Sequence, residues 1–446
     1  MSHVAIIPFV GSIFYTHPSI PRGMIAFVER SEVSGEISVP PSKSYTHRAI
    51  AISALGPGGM VMRPLLSADT MATINAAEAF GAQIEGQEEE LSVIGVGGQP
   101  STPENVIDVE NSGTTLRIMS AVAALTDGAV LTGDASIRRR PNGPLLKSLR
   151  DLGAEAFSIK NNDCAPLVIR GGIRGGKTVL DGSVSSQFLS ALLIACPLAD
   201  GDTEIEIDGE LKSRPYAEIT LEMLKKAGAG IETDFKRFFV EGGQSYDLDG
   251  YTVPGDFSSA SYLLAAAAVT GSRLTVRGLR PSKQGDSAIV AILQEMGTEI
   301  SWDQEKGDLA IVGRDLDGVE VDASLTPDLV PTIAVLGAVA KGRTVVKNAE
   351  HVRHKETDRL HAMAVELSKM GAKIEERPDG LVIEGGKLQG AKVSGHHDHR
   401  VVMALTVAGL VAGDTRIDTA ESVSISYPGF FEEMARIGCR VEVREG

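Results

Sequence analysis

Two hydrophobic patterns alternate along this chain. In one, apolar residues run nearly all round a helix, as in YLLAAAAV, FLSALLIA and VVMALTVAGLVA, so the segment must be buried on every side. The other is one-sided: Ile219, Met223 and Ala227 fall at i, i+4 and i+8, against Glu218, Glu222 and Lys225. Each all-round segment closes on a glycine and passes at once into a β-rich run, six times over: MVMRPL, AVLTG, DTEIEI, SRLTVRG, RTVVKN and DTRID. The closing residues, Gly59, Gly128, Gly201, Gly271, Gly342 and Gly413, are separated by 69, 73, 70, 71 and 71 positions. The one-sided segments close in the same phase on Gly81, Gly153, Gly228, Gly297, Gly371 and Gly438, where a helix C-cap takes a residue tolerant of positive φ. A unit of about 70 residues thus predicts strand, helix, strand, helix, strand, strand, repeated six times.

Six buried helices are more than one core accommodates, which predicts two α/β domains of three βαβαββ repeats each. Crossings near Pro40 and Pro254 assign residues 41–254 to one domain and residues 24–40 plus 255–446 to the other, discontinuous one. Met24 opens a strand-like run that leads into the first motif, so residues 1–23 are expected to be a loose N-terminal extension. Within it residues 4–15 are apolar, but they lack the basic flank and small-residue cleavage site of a signal peptide. The alternative is an open-ended solenoid. Against it stand the polar residues that open the buried helices, which are not a set of solvating caps.

Composition narrows the class. With 446 residues, 43% of them hydrophobic and 23% charged, the chain sustains large cores and is neither disordered nor a small stapled scaffold. Cys164, Cys196 and Cys439 have no metal-ligand spacing and form no even framework, which points to a cytoplasmic protein without disulfides or zinc. No uninterrupted apolar run reaches the roughly 18 residues of a membrane span. A net charge of −16 argues against nonspecific nucleic-acid binding but leaves room for a basic cleft in an acidic body.

The helix openings carry the candidate chemistry. Before the six buried segments stand Ser42-Lys43-Ser44, Asn111-Ser112-Gly113-Thr114, Ser185-Ser186-Gln187, Asp256-Phe257-Ser258-Ser259, Pro327-Asp328 and Asp398-His399-Arg400. Each alone reads as an ordinary N-cap. Six in phase, with Lys43, Arg48, Arg117 and Arg400 within about a turn, read instead as helix N-termini gathered at an anion site. Loops before the one-sided helices add Arg138-Arg139-Arg140, Lys212-Ser213-Arg214-Pro215-Tyr216 and residues 353–359, a density of Arg and Lys suited to phosphate and carboxylate. Among those cations the acid–base candidates are Asp328, Glu356, Lys43 and His399.

Taken in order, PSKSYTHRA, NSGTTLR, RRRP, GSVSSQFLSALL, SRPY, GDFSSASYLLAAA, PD, HKETDRL and DHRVVMAL resemble the motifs of the 5-enolpyruvylshikimate-3-phosphate synthase family, over residues 36–440. The resemblance implies an inside-out α/β barrel of two domains whose buried helices point their N-termini at the interdomain cleft. It also implies enolpyruvyl transfer from phosphoenolpyruvate to shikimate 3-phosphate by addition and elimination, with no metal or organic cofactor, in a monomer sensitive to glyphosate. Shikimate 3-phosphate would fall to Lys43, Ser44, Arg48, Ser185, Ser186, Gln187, Ser213, Tyr216, Asp328 and Lys355. Phosphoenolpyruvate would fall to Lys43, Asn111, Gly113, Arg140, Gln187, Arg359 and Arg400, with Asp328 as base and Glu356 as proton donor to C3. Gly113 would leave the room that glyphosate needs.

Three positions depart from the family pattern. Ile425 stands where a lysine is common, His351 where an asparagine is common, and Ile118 where a proline often follows the arginine of NSGTTLR. A sister family of UDP-N-acetylglucosamine enolpyruvyl transferases uses a cysteine where this chain has Asp134-Ala135-Ser136-Ile137. A catalytically silent binding protein is the reading from another class, and the presence of Lys43, Asp328, Glu356 and Arg359 together argues against it.

Overall fold

The computed structural model describes residues 23–446, so the expected extension lies outside the described residues except for Gly23. Six four-stranded sheets are present among them. The third unit shows the plan. Strand Gly176–Asp181 runs parallel to Thr203–Asp208, and the crossover that parallel pairing demands is filled by the buried helix Ser186–Ala195. The amphipathic helix Arg214–Lys226 follows, and the hairpin of Ile231–Thr233 and Arg237–Val240 closes the sheet antiparallel to Thr203–Asp208. Thr203, Ile205 and Ile207 face the helices while the residues between them face outward, the period of two that a half-buried strand requires.

The buried helices are Lys43–Leu55, Gly113–Ala123, Ser186–Ala195, Phe257–Thr270, Val330–Val339 and His399–Ala412, called first to sixth below. They gather three by three into two hydrophobic cores. One is built from residues 45–253, the other from residues 26–39 and 257–437 together with Cys439. The two-domain α/β class read from the repeat therefore holds.

The repeat is less regular than its glycines suggest. Three units are completed by strands from elsewhere in the chain. Tyr251–Thr252 supplies the parallel edge strand of the first unit, and Ser34–Ser38 supplies that of the fourth. In the last unit Met24–Glu29 inserts between Thr415–Ile417 and Arg440–Glu445, antiparallel to both. Two strands thus precede the first crossing where the sequence reading has one. Ala26 and Val28 of the inserted strand are fully buried, and Val28 lies so close to the sixth helix that a Cβ on Gly409 would meet its Cβ at 2.9 Å. Only glycine permits that approach.

The two crossings lie side by side. Pro41 and Gly255 form an antiparallel bridge, Ser42 N donates to Pro254 O at 2.8 Å and Asp256 N donates to Pro40 O at 2.9 Å. Buried Gln284 braces both, donating from its amide nitrogen to Ser42 Oγ at 2.5 Å and Asp256 Oδ1 at 2.7 Å, and accepting from Phe257 N at 3.0 Å. The three cysteines are free and buried, and no helix of the described residues is long and apolar enough to cross a membrane.

The buried helices should set stability. Leu264 of the fourth helix is fully buried, so Leu264→Ala is expected to cost about 2–5 kcal/mol, read as a lower urea midpoint at unchanged slope. Phe239→Ala, at an outward position 47% exposed, should change it by less than about 1 kcal/mol.

Candidate active site

Five of the six buried helices open onto one cavity of about 690 Å³ between the two cores. Lys43 and Ser44 come from the first, Gly113 and Thr114 from the second, and Ser185, Ser186 and Gln187 from the third. Asp328, on the short turn Pro327–Leu329 that leads into the fifth helix, and Arg400 of the sixth complete the ring. The fourth helix does not take part, which corrects the expectation of six. Its N-cap Asp256 accepts from Ser259 N at 3.0 Å and faces Gln284 at the crossings. Ordinary capping and the anion site coexist: Ser112, Ser185 and Asp398 each cap their helix, at 3.3, 3.3 and 2.9 Å, and its remaining N–H groups stay directed at the cleft.

The loops before the amphipathic helices supply Arg140, Ser213, Lys355 and Glu356, and the first turns of those helices supply Tyr216 and Arg359, all lining the same cavity. Arg359, only 1% exposed, bonds three carboxylates: Asp328 at 2.7 Å, Glu356 at 2.7 Å and Asp398 at 2.8 Å. Asp328 also takes Arg400 at 2.8 Å and the Tyr216 hydroxyl, which donates at 2.7 Å. Burial alone would raise Asp328, but Arg400, Lys355 and Arg359 outweigh it and hold the group far below the usual carboxylate range. Burial is outweighed at Glu356 too, by Arg359 and Arg140, so both carboxylates are ionised. A Cβ on Gly113 would stand 2.9 Å from Arg140 Nη1 and 3.2 Å from Arg117 Nη1, so this backbone lies directly against guanidinium groups.

Three sequence candidates lie elsewhere. Arg48 is 1% exposed and does not line the cavity. It donates to Thr220 at 2.7 Å, Ser44 O at 2.8 Å, Ser190 at 3.0 Å and Tyr216 O at 3.1 Å, bracing two lining residues from behind. Asn111 donates to Asp134 at 2.7 Å, outside the lining. His399 is fully buried with neither ring nitrogen bonded among the described residues, and burial with Lys43 and Arg400 nearby keeps it neutral.

Of the other lining residues, Asp69 escaped the sequence reading, whereas Arg117 and His351 were named there without a substrate role. Asp69, at the start of the amphipathic helix Ala68–Ala79, ion-pairs with Lys43 at 2.8 Å. Arg117 donates to Gln187 and to Asn142, the latter at 3.3 Å, and stacks 5.1 Å from the Phe188 ring. His351 is 4% exposed, with both ring nitrogens unbonded among the described residues. Burial, with Lys355 and Lys212 beside it, pushes it down to about 3. Ile425 does not line the cavity, and Ile118 lies in the core. The lining totals six Lys and Arg against three carboxylates, a positive cleft in a protein of net charge −16. Contacts span it: Ser213 N donates to Ser324 O at 2.9 Å, and Lys212 pairs with Glu350 at 3.4 Å.

Such a cleft suits small molecules bearing several anionic groups, with two carboxylates placed for proton transfer. Comparison with known proteins agrees. Residues 28–434 match the family model for EPSP synthase (3-phosphoshikimate 1-carboxyvinyltransferase). The 3-phosphoshikimate 1-carboxyvinyltransferase of Methanothrix thermoacetophila is 71% identical over 94% of this chain and 99% of its own length, and that of Halobacterium salinarum is 52% identical over 93% and 97%. The solved EPSP synthase of Acinetobacter baumannii superposes with a TM-score of 0.81 at 30% identity, covering 95% of this chain and all of that one.

Behind Asp328 lies a carboxyl that the cleft does not expose. Asp286 accepts from Ser258 Oγ through one oxygen, and its other oxygen is unbonded among the described residues. Burial and the Asp328 charge raise it to about 7, against Arg400. Since the folded value lies above the unfolded one of 3.8, its contribution is fully present below about pH 4 and is lost as pH rises through about 7. Asp286→Asn should remove that loss, so urea midpoints of variant and parent should diverge in the variant's favour between pH 5 and pH 8.

Proposed function

The chain belongs to the EPSP synthase family, and from that premise we propose how its residues divide the work. The enzyme transfers the enolpyruvyl group of phosphoenolpyruvate to the 5-hydroxyl of shikimate 3-phosphate and releases phosphate. The observation that carries the assignment of roles is the pair of carboxylates, Asp328 and Glu356, held on one buried arginine inside a cation-rich cleft.

Shikimate 3-phosphate lies against Ser44, Ser185, Ser186, Ser213, Tyr216 and Lys355, with His351 offering its two free ring nitrogens and Arg48 supporting Ser44 and Tyr216. Phosphoenolpyruvate takes Lys43, Arg140, Gln187, Arg359 and Arg400, beside the Gly113 backbone. Its carboxylate and phosphate compete with Asp328 and Glu356 for the same guanidinium donors. Binding therefore loosens both carboxylates from their arginines and raises their basicity from these low values.

Asp328, released in this way, accepts the proton of the 5-hydroxyl as the hydroxyl oxygen bonds to C2 of phosphoenolpyruvate, and later yields it to the departing phosphate; Glu356, which takes up a proton from solvent once loosened from its arginines, gives that proton to C3. The tetrahedral intermediate then returns a proton from C3 to Glu356, the bond from C2 to the phosphate oxygen breaks, and the double bond re-forms. Negative charge that grows on the departing phosphate is met by Lys43, Arg140 and helix N-termini already in place.

The halves that close on the substrates are read as residues 41–254 and residues 24–40 plus 255–446. Entry requires the contacts of Lys212 with Glu350, Ser213 with Ser324 and Tyr216 with Asp328 to part. Phosphate release from phosphoenolpyruvate should occur with shikimate 3-phosphate and not with UDP-N-acetylglucosamine. Glu356→Gln should lower kcat by about 10²–10⁴-fold while shikimate 3-phosphate still binds; unaltered kcat would remove Glu356 from its role. Small-angle scattering should show the chain compact when shikimate 3-phosphate saturates it, and unchanged scattering would count against opening of the cleft.

A further inference from the structure

A second cavity of about 570 Å³ opens beside the first, across the same cleft. Ser136, Arg139, Arg140 and Pro141 form one wall and residues 353–358 the other. Arg140, His354, Lys355 and Glu356 line both cavities, so the two are neighbours through a shared wall.

The charges on that wall are unevenly spent. Arg353 is neutralised by Asp358 at 2.7 Å and Glu376 at 2.8 Å. Arg139 and His354 are exposed, and neither side chain has a hydrogen-bond or ion-pair partner among the described residues; Lys355 has none either. Arg140 is 6% exposed. It donates to Ser136 Oγ at 2.7 Å and stands 3.8 Å from Glu356, yet its Nε is buried without a partner among the described residues. Arg140 lines the outer cavity together with the unpartnered side chains of Arg139, His354 and Lys355, so an oxyanion held there would meet four nitrogen-bearing groups at once.

We propose that this outer cavity is a phosphate subsite, which receives inorganic phosphate from the reaction centre and holds it on its way to solvent. The inference rests on the enolpyruvyl-transfer reading, because only that chemistry sets phosphate free beside Arg140. Transfer outward keeps the anion on Arg140 and Lys355 while Arg139 and His354 replace the inner cations. Glu356, standing on the shared wall, selects for a compact anion. A molecule carrying both a carboxylate and a phosphate would set one of them against it.

The test is calorimetric titration of inorganic phosphate into the full chain carrying Asp328→Asn, with shikimate 3-phosphate and phosphoenolpyruvate both saturating, so that the inner site is full and chemistry is stopped. One phosphate per chain should bind, and Arg139→Gln or His354→Gln should weaken it by about threefold to tenfold. In the otherwise unaltered enzyme the same two changes should relieve inhibition by added phosphate at saturating phosphoenolpyruvate. No uptake by the loaded chain, or uptake indifferent to both substitutions, overturns the proposal. A fall in kcat/KM for phosphoenolpyruvate with phosphate affinity unchanged would make the cavity an entrance and overturn it equally. Failure of the underlying reaction is distinguishable, since the unaltered enzyme would then release no phosphate from the two substrates at all.

Discussion

A buried guanidinium must be paid for in carboxylates, and Arg359 holds three of them. Asp328 precedes the fifth buried helix, Glu356 lies in the loop before an amphipathic helix, and Asp398 caps the sixth buried helix. One cation therefore ties together three segments from different parts of the chain. Remove it and three carboxylates are left facing one another in a space with little water. Asp328 and Glu356 are thus held in ionised form by a residue that lines the same cleft.

This exchange explains why so acidic a chain carries so basic a cleft. Helix N-termini provide partial positive charge that is neither titratable nor mobile, and the fold aims five of them at one point. The titratable cations stand in front of them. Asp69 neutralises Lys43 much as Asp328 and Glu356 neutralise Arg359. His351 and the Nε of Arg140 are buried without a partner among the described residues.

Much of this was legible in the sequence, for a physical reason. A helix buried on all sides cannot hide its composition, and a glycine that ends it cannot readily be replaced, so six buried helices and their phase were plain. The strand Met24–Glu29 was missed as a partner of the last sheet because strand pairing is non-local; nothing in MIAFVE says that it lies between residues 415–417 and 440–445. Within the site the failures concern direction. Successive residues of a helix point about 100° apart, so of His399 and Arg400 only the second reaches the cleft. Arg48, about one turn beyond Ser44, turns back to Thr220 and Ser190. Asp69 carried no signal beyond an ordinary acidic residue in the first turn of a helix.

The strand at one end of the described chain and the strand at the other lie side by side, Met24 opposite Glu445. On the ribosome this imposes an order. The core of residues 45–253 has all its strands once Tyr251–Thr252 has emerged, whereas Ser34–Ser38 must wait for residues 273–277 and Met24–Glu29 for residues 440–445. The inner half of the molecule is able to close while its flanks are still unpaired.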